Sequence, residues 1–149
     1  MFDTSKIGYS FPPFVVEIER VKIQELALAI GENNPVYQNW QAAQEAGFQD
    51  IPLLPTTGTI FLFWENTHFV KQLTELGLDF SQLLHREEEY EYLAPLYSGE
   101  ILTGVMTVLD GTTRKGPHNT FINLVTLKLH YTNQQGQPVL IATTRLASR

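Results

Sequence analysis

A chain of 149 residues that is 43% hydrophobic and 17% charged can bury one core and is too apolar to be a disordered chain. The net charge of -6 argues against non-specific binding to nucleic acid or anionic lipid, because both need a positive protein surface. There is no cysteine for disulfides or thiolate metal sites and no apolar run of about 20 residues or signal-peptide pattern, so we expect one cytoplasmic domain over 1–149.

The first third of the chain is predicted to contain two helices after an extended segment. Two prolines within 11–14 forbid a helix there and favour extended backbone. Apolar residues then recur with helical spacing over 18–30, and Gly31 is placed to end this helix in the left-handed conformation. A polar loop at 32–37 follows, and then a short helix over 39–47 whose first residue is an asparagine cap.

A longer apolar helix is predicted over 58–76, with Thr56 or Thr57 as its cap and Gly77 as its end. At about 1.5 Å per residue, such a helix would be almost 30 Å long. Its residues 60–64 read Ile-Phe-Leu-Phe-Trp and are apolar in every direction around the axis. This pattern is typical of a helix that is enclosed by other structure, so we expect a sheet to wrap it.

The remaining sequence predicts four antiparallel strands, over 83–92, 100–112, 118–131 and 138–148, with a turn at 133–136 between the last two. Gly104, inside the second of these strands, indicates a bulge or a close backbone approach. Gly111 and Gly116 are expected to serve the turn that follows.

The first predicted strand carries an acidic run, Glu87-Glu88-Glu89 followed by Glu91. Period two places Glu88 on the same side as Tyr90 and Tyr92, facing the interior. A carboxylate in that position needs a partner, which Arg86 or a second subunit could provide.

One buried helix followed by consecutive antiparallel strands is the outline of the hot-dog fold, and three segments resemble the MaoC-like dehydratases that use it. These segments are IGENNPVY at 30–37, PTT at 55–57 and LHREEEYEYLAPLYSGE at 84–100. They look most similar to the amino-terminal, fatty-acid-synthase-type branch of that family. The resemblance implies an α+β hot-dog fold, in which a curved antiparallel sheet wraps a long central helix.

The resemblance also implies an activity, because family members hydrate trans-2-enoyl thioesters to (R)-3-hydroxyacyl thioesters or reverse that reaction. Their substrates are carried on coenzyme A or on the phosphopantetheine of acyl carrier protein, and no further cofactor is expected. The reaction needs a base, an acid and a donor to the thioester oxygen. In the family this donor is a backbone N–H where the buried helix begins, and the matching positions here are Thr56, Thr57 and Gly58.

The loop at 32–37 departs from the family pattern at both proton-handling positions. Active members carry an Asp, then Asn-Pro two residues on, and then a His. This chain keeps Asn34 and Pro35 but has Glu32 at the Asp position and Tyr37 at the His position. The longer Glu32 side chain moves the carboxylate by about 1 Å, which can cost on the order of 100-fold in rate.

A phenol with an ordinary pKa near 10 is a poor general base at neutral pH. We therefore interpret Glu32 as a candidate base, Tyr37 as a binding or structural group, and Asn34 as a binding group. Trp64 on the long helix and His85 at the start of the first strand are further candidates for contact with substrate. His68 lies one turn after Trp64 and is expected to pack. No spacing of histidines or carboxylates predicts a metal site.

Four functions remain compatible with these residues. The first is the acyl-binding subunit of a heteromeric dehydratase, because some members of this branch pair two unequal hot-dog subunits of which only one supplies the Asp and the His. The second is a self-sufficient homodimeric hydratase that uses Glu32 as base and His85 or His68 as proton donor. The third is a hot-dog acyl-thioesterase, and the fourth is a non-enzymatic acyl-binding protein. The expected partner is a second hot-dog subunit, identical or different, with no role for nucleic acid or membrane.

Overall fold

The computed structural model describes every residue except Glu65, and at Asn119 it describes the backbone only. Its main feature is a five-stranded antiparallel sheet with the strand order β1-β3-β4-β5-β2. The strands are β1 (Phe14–Glu17), β2 (Leu83–Tyr92), β3 (Ile101–Lys115), β4 (Phe121–Thr132) and β5 (Pro138–Ser148). Buried and less buried residues alternate along β3, β4 and β5, so one face of the sheet packs on the core.

The four predicted strands are confirmed, and β1 is an additional strand that the sequence did not predict. It follows the two prolines directly and pairs with β3 from Phe14 opposite Gly104 to Glu17 opposite Ile101. The predicted turn between β4 and β5 is also present, and Gly136 adopts a φ of 75° there. A four-residue strand gives too short an alternation to be recognised, and its partner lies far along the chain.

Two of the predicted helices are confirmed with slightly shorter bounds. Helix α1 spans Arg20–Ala29, and Gly31 follows it with a φ of 73°, as expected of a left-handed stop. Helix α2 spans Trp40–Glu45, and the side chain of Asn39 accepts hydrogen bonds from the N–H groups of the two residues after Trp40. This cap satisfies donors that the first turn of a helix leaves free.

The prediction of one continuous helix over 58–76 is wrong. The segment begins as a 3-10 helix over Thr57–Ile60, continues as α3 (Phe61–Trp64) and resumes as α4 (Phe69–Glu75). The side chain of Asn66 accepts a hydrogen bond from the N–H of His68, 3.2 Å away, just before α4. The sequence pattern did not reveal this interruption because apolar residues continue with helical spacing on both sides of it.

Helix α3 is enclosed on one side only. Phe61 and Leu62 are buried, and the Phe61 ring meets the ring of Tyr131 on β4 edge to face at 5.6 Å between centroids. Burying a side chain such as Phe61 contributes about 1.5–3 kcal/mol to stability. Phe63, however, is 55% exposed, which corrects the expectation that 60–64 is apolar because it is surrounded in every direction.

Two glycines of β3 lie directly beneath aromatic rings. A Cβ on Gly104 would lie 2.6 Å from Phe14 and 2.8 Å from Tyr131, so the predicted close approach is confirmed. Gly111 was expected to serve a turn, but it lies inside β3, and its missing side chain leaves room for the buried ring of Phe2. In the described part of the chain, no helix has the length and apolar character needed to cross a membrane.

Candidate functional site

An apolar groove of about 500 Å³ opens beside the segment that leads into the 3-10 helix. Its lining residues are Tyr37, Phe48, Pro52, Leu53, Pro55 and the segment 92–97 at the end of β2. Nearly all of these side chains are aliphatic, aromatic or proline. The groove can therefore accommodate an apolar chain, and its size is within the range of pockets that bind small ligands.

Backbone and side-chain hydrogen bonds hold two walls of the groove together. The N–H of Leu53 donates to the carbonyl of Leu96 at 2.8 Å, and the N–H of Ser98 donates to the carbonyl of Ile51 at 2.9 Å. The hydroxyl of Ser98 donates to the carboxylate of Asp50 at 2.5 Å, and this carboxylate also pairs with Arg20 at 2.9 Å.

Asp50 is ionised more readily than an ordinary aspartate. Its partial burial acts in the opposite direction, but hydrogen bonds from Ser98 and the N–H of Ile51, together with Arg20, lower the pKa of Asp50. The charge of Asp50 therefore helps to fix the groove wall at neutral pH.

The loop 32–37 uses its two polar candidates for its own folding. One carboxylate oxygen of Glu32 accepts a hydrogen bond from the N–H of Asn34 at 2.8 Å. The side chain of Asn34 in turn accepts from the N–H of Val36 at 3.2 Å and caps the 3-10 helix Pro35–Tyr37. Tyr37 behaves differently, because its half-buried side chain packs against the core and lines the groove.

The first turn after Thr56 was predicted to offer a donor to a thioester oxygen, and the N–H groups of Thr57 and Thr59 already have acceptors. The N–H of Thr57 donates to the carbonyl of Leu54 at 3.0 Å. The N–H of Thr59 donates to the hydroxyl of Tyr90 at 2.9 Å, and the Thr59 hydroxyl is also hydrogen bonded to Tyr90. The Tyr90 ring lies so close to Gly58 that a Cβ there would be 2.6 Å from it.

Three tyrosines gather around this turn with perturbed acidities. The hydroxyl of Tyr92 donates to the carbonyl of Pro55 at 2.8 Å, and burial together with the neighbouring Tyr90 raises the pKa of Tyr92 to about 12. Burial also raises the pKa of Tyr90 and of Tyr131, with Glu88 contributing in both cases. Tyr90 and Tyr92 therefore remain neutral hydrogen-bonding groups at physiological pH, whereas the buried, neutral hydroxyl of Tyr131 has no hydrogen-bond partner among the described residues.

Trp64 and His85, the other predicted contacts to substrate, lie away from the apolar groove. Trp64 is half-buried, with its ring 6.3 Å from that of Phe61 and with Lys22 above it at 5.7 Å. His85 Nε2 lies 2.8 Å from a carboxylate oxygen of Glu88, and His85 lines a small cavity of about 50 Å³ together with Thr59. The sequence suggested Arg86 or a second subunit as the partner of Glu88. The partner observed in the structure is His85.

The structure thus brings some of the predicted site residues together and leaves others apart. Glu32 and Asn34 are joined by a hydrogen bond, and Tyr37 is the predicted site residue among those that line the groove. No hydrogen bond joins Glu32 or Asn34 to 56–58 in the described part of the chain. The sequence did not identify Tyr90 as the acceptor at the first turn, although the alternation of Glu88, Tyr90 and Tyr92 indicated an inward face.

A metal site has no support in the described residues, where no three acidic or histidine side chains come close enough together to hold an ion. The groove and the first turn are instead built from apolar side chains, backbone N–H groups and neutral phenols. This arrangement is suited to an uncharged acyl chain.

Comparison with known proteins places this architecture in a family. Residues 5–142 match the model of the FAS1-like dehydratase domain region. A UPF0336 protein of Saccharopolyspora erythraea is 32% identical over 148 residues, which cover 99% of this chain and 91% of that protein. A UPF0336 protein of Thermobifida fusca is 33% identical over 137 residues, covering 92% and 86% of the two chains.

Solved structures agree on the fold. The truncated HadBC complex of Mycobacterium tuberculosis, described as a (3R)-hydroxyacyl-ACP dehydratase, superposes with a TM-score of 0.78 at 19% identity and covers 96% of this chain and 97% of its own. The ChsH1-ChsH2 complex of the same organism gives a TM-score of 0.69 at 20% identity, covering 96% and 98%. The chain therefore belongs to the FAS1-like dehydratase domain region family and has the hot-dog fold of the MaoC-like dehydratases.

Proposed function

We propose that residues 1–149 form a single hot-dog domain that acts as the acyl-binding subunit of an (R)-specific enoyl-thioester hydratase or 3-hydroxyacyl-thioester dehydratase. A second hot-dog subunit would supply the Asp and the His that this chain lacks. The observation that carries the proposal is how the loop 32–37 uses its side chains. The Glu32 carboxylate accepts a hydrogen bond from the N–H of Asn34, and Tyr37 lines an apolar groove. The loop offers a contact surface in place of an acid-base pair.

The groove supports the acyl-binding role. Its lining is apolar, and Tyr37 takes part in it from the position where active members carry a histidine. An apolar acyl chain placed there would remove this surface from water, which is favourable at about 25 cal/mol per Å². The substrate's thioester would be carried on coenzyme A or on the phosphopantetheine of acyl carrier protein.

Tyr90 restricts how a thioester could approach the first helical turn. The N–H of Thr59 already donates to Tyr90, and the Tyr90 ring occupies the space above Gly58. A thioester oxygen would have to displace this hydroxyl to use the N–H of Thr59, and it would meet the Tyr90 ring beside the predicted donor at Gly58. The similarity to HadBC and ChsH1-ChsH2, both named as complexes of two components, supports a heteromeric assembly.

The decisive experiment is a hydration assay with crotonyl-CoA. The purified chain is assayed alone and then together with a MaoC-like subunit of the same organism that carries the intact Asp and His loop. We expect only background hydration from the chain alone and robust hydration from the pair. Robust hydration by the chain alone would contradict the acyl-binding role and favour the homodimeric hydratase.

Two substitutions in the reconstituted pair separate binding from proton transfer. Tyr37→Ala removes a groove wall that contacts ground state and transition state alike, so it should raise KM several-fold with little change in kcat. Glu32→Gln should leave kcat within about twofold, whereas a loss on the order of 100-fold would identify Glu32 as the base. Tyr9→Ala, an exposed tyrosine outside the groove, is the matched control for Tyr37.

The same preparations test the remaining alternatives. Release of free thiol from acyl-CoA without hydration would indicate a thioesterase. Saturable binding of acyl-CoA with no turnover in any pairing would indicate a non-enzymatic acyl-binding protein.

A further inference from the structure

A small cavity lies where the helical segment packs against the sheet. It has a volume of about 50 Å³ and is bounded by α3, α4, β2 and β5. Three of its lining side chains are polar, namely Thr59, His85 and Thr144, and the others are leucines and phenylalanines. The cavity is too small for an acyl group, but it exceeds the volume of about 30 Å³ that one water molecule occupies in the liquid.

The hydroxyl of Thr144 has no protein partner beside this cavity. Thr144 is 2% exposed, and its Oγ1 atom forms no hydrogen bond with any described residue. A buried hydroxyl without a partner is costly, and most such groups in folded proteins are bonded to protein or to an ordered water. Because Thr144 lines the cavity, the cavity offers space for such a partner.

A carboxylate oxygen directly across the sheet has the same deficit. Glu88 of β2 is the register partner of Thr144 of β5, so their Cβ atoms are about 4.5–5.5 Å apart. The Glu88 side chain is only 13% exposed, and its Oε2 atom lies 2.8 Å from His85 Nε2. Its Oε1 atom is buried and has no hydrogen-bond partner among the described residues. Two unpartnered oxygens therefore belong to adjacent side chains.

The direction of the Glu88 side chain is supported by its effects on neighbouring groups. A register irregularity between His85 and Glu87 brings His85 within reach of the Glu88 carboxylate. Burial is the main cause of the raised pKa of Tyr90 and of Tyr131, and the negative charge of Glu88 raises both further. The carboxylate therefore points to the inner face of the sheet, where bulk water does not surround it.

Water is the ligand that suits these two oxygens. An ionised carboxylate can only accept hydrogen bonds, whereas a hydroxyl can donate, so one water can accept from Thr144 and donate to Glu88. An internal water typically makes about three hydrogen bonds, and Thr59 and His85 provide further polar atoms along the same cavity. A metal ion has less support, because the residues that the structure describes include no group of three acidic or histidine side chains.

We propose that this cavity is a binding site for one ordered water molecule, which accepts a hydrogen bond from Thr144 and donates one to Oε1 of Glu88. The water completes the hydrogen bonding of a carboxylate that β2 directs into the protein, and it links β2 to β5 through side chains. With the water in place, hydrogen bonds run from the exposed His85 through Glu88 to Thr144. The site lies within one chain and is independent of the proposed acyl-binding role.

The sign of a stability change distinguishes a hydrated cavity from a dry one. Thr144→Val replaces the hydroxyl by a methyl group of nearly the same size. With water bound, this substitution removes one of its partners, and we expect the folding equilibrium constant to fall about fivefold or more in urea denaturation. In a dry cavity, the substitution would remove an unpaired buried hydroxyl and would leave stability unchanged or increase it.

Thr143→Val is the matched control for Thr144→Val. Thr143 is the preceding residue of β5, is only half-buried and lies on the opposite face of the sheet. Its substitution makes the same chemical change away from the cavity, so the folding equilibrium constant should stay within about twofold of wild type.

A double-mutant cycle assigns the effect to a water that Thr144 and Glu88 share. In a Glu88→Leu background, which lacks the acceptor, Thr144→Val should no longer lower the folding equilibrium constant. An equal loss in both backgrounds would mean that Thr144 acts through packing and would overturn the proposal.

A high-resolution crystal structure of the wild-type protein tests the site directly, and it decides if a variant does not fold. We expect one water within hydrogen-bonding distance of both Glu88 Oε1 and Thr144 Oγ1. A cavity without electron density for water, or a direct hydrogen bond between Glu88 and Thr144, would overturn the proposal. A Thr144→Val variant at least as stable as wild type would do the same.

Discussion

The hydroxyl of Tyr90 accepts a hydrogen bond from the backbone N–H of Thr59 at 2.9 Å. This contact joins edge strand β2 to the first turn of the central helical segment. It also assigns a side-chain acceptor to an N–H group that helix geometry leaves without a backbone partner. The residue that limits access to the first turn is therefore on the sheet.

Replacing Tyr90 by Phe should destabilise the protein by about 1–2 kcal/mol, because the N–H and hydroxyl of Thr59 both lose this partner. Urea denaturation followed by circular dichroism measures the change. Tyr9→Phe is the control, since this tyrosine is exposed. Equal stability of the Tyr90 variant and wild type would show that water replaces the phenol without cost.

Replacing Gly58 by Ala should destabilise the protein by about 1–3 kcal/mol, because the new methyl group would lie 2.6 Å from the Tyr90 ring. The same substitution in a Tyr90→Ala background should cost much less, since the obstructing ring is absent. A double-mutant cycle measured by denaturation gives this coupling. If the effects of Gly58→Ala and Tyr90→Ala were additive, the cost of the new methyl group would not come from its contact with the Tyr90 ring.

Alkaline pH should lower the free energy of unfolding before the folded protein itself ionises. The pKa of Tyr92 is raised to about 12, so above the ordinary value near 10 the unfolded chain releases its proton first. Stability should be insensitive to these phenols below pH of about 10 and fall between about 10 and 12. Denaturation curves measured across this range should show that the free energy of unfolding falls less steeply with pH in Tyr92→Phe than in wild type. An equal pH dependence in the two proteins would contradict a raised pKa of Tyr92.

Acid should weaken the wall of the groove through Asp50. Its folded-state pKa is lowered, so its contribution is fully present above the ordinary value near 4 and is lost as pH falls below it. Ser98→Ala should cost about 1.5–3 kcal/mol at neutral pH, because it removes a hydrogen bond to a charged group. The difference from wild type should shrink in acid.

Ser5→Ala provides the matched control for Ser98. Ser5 donates a similar hydrogen bond to Asp3, but both residues are exposed, so the cost at neutral pH should be small. A Ser98 variant whose deficit persists unchanged in acid would mean that its effect comes from packing and does not depend on the carboxylate.

Local patterns predicted the elements whose determinants are close in sequence. The left-handed stop at Gly31, the Asn39 cap and the turn ending at Gly136 all depend on a few neighbouring residues, and all three are confirmed. Strand β1 depends on its pairing with β3 about ninety positions away, and four residues after two prolines carry no usable period.

The candidate site was also predictable only where the chemistry of a residue or its near neighbours in sequence decides its role. The chemistry of a phenol separated Tyr37 from the acid-base residues in the sequence, and its place in the groove lining is compatible with the predicted contact role. The pairing of His85 with Glu88 was not predictable, because residues three apart in a regular strand face opposite sides. A register irregularity between His85 and Glu87 shifts this alternation and brings the two side chains together.

The two rings over Gly104 have a consequence for related sequences. Phe14 and Tyr131 both occupy the volume that any larger residue at this position would need. A homologue that acquires alanine or serine at 104 must therefore have lost one of the two aromatic rings or have moved β1 outward. These three positions should accordingly vary together across the family, and a crystal structure of such a homologue would show which adjustment evolution has used.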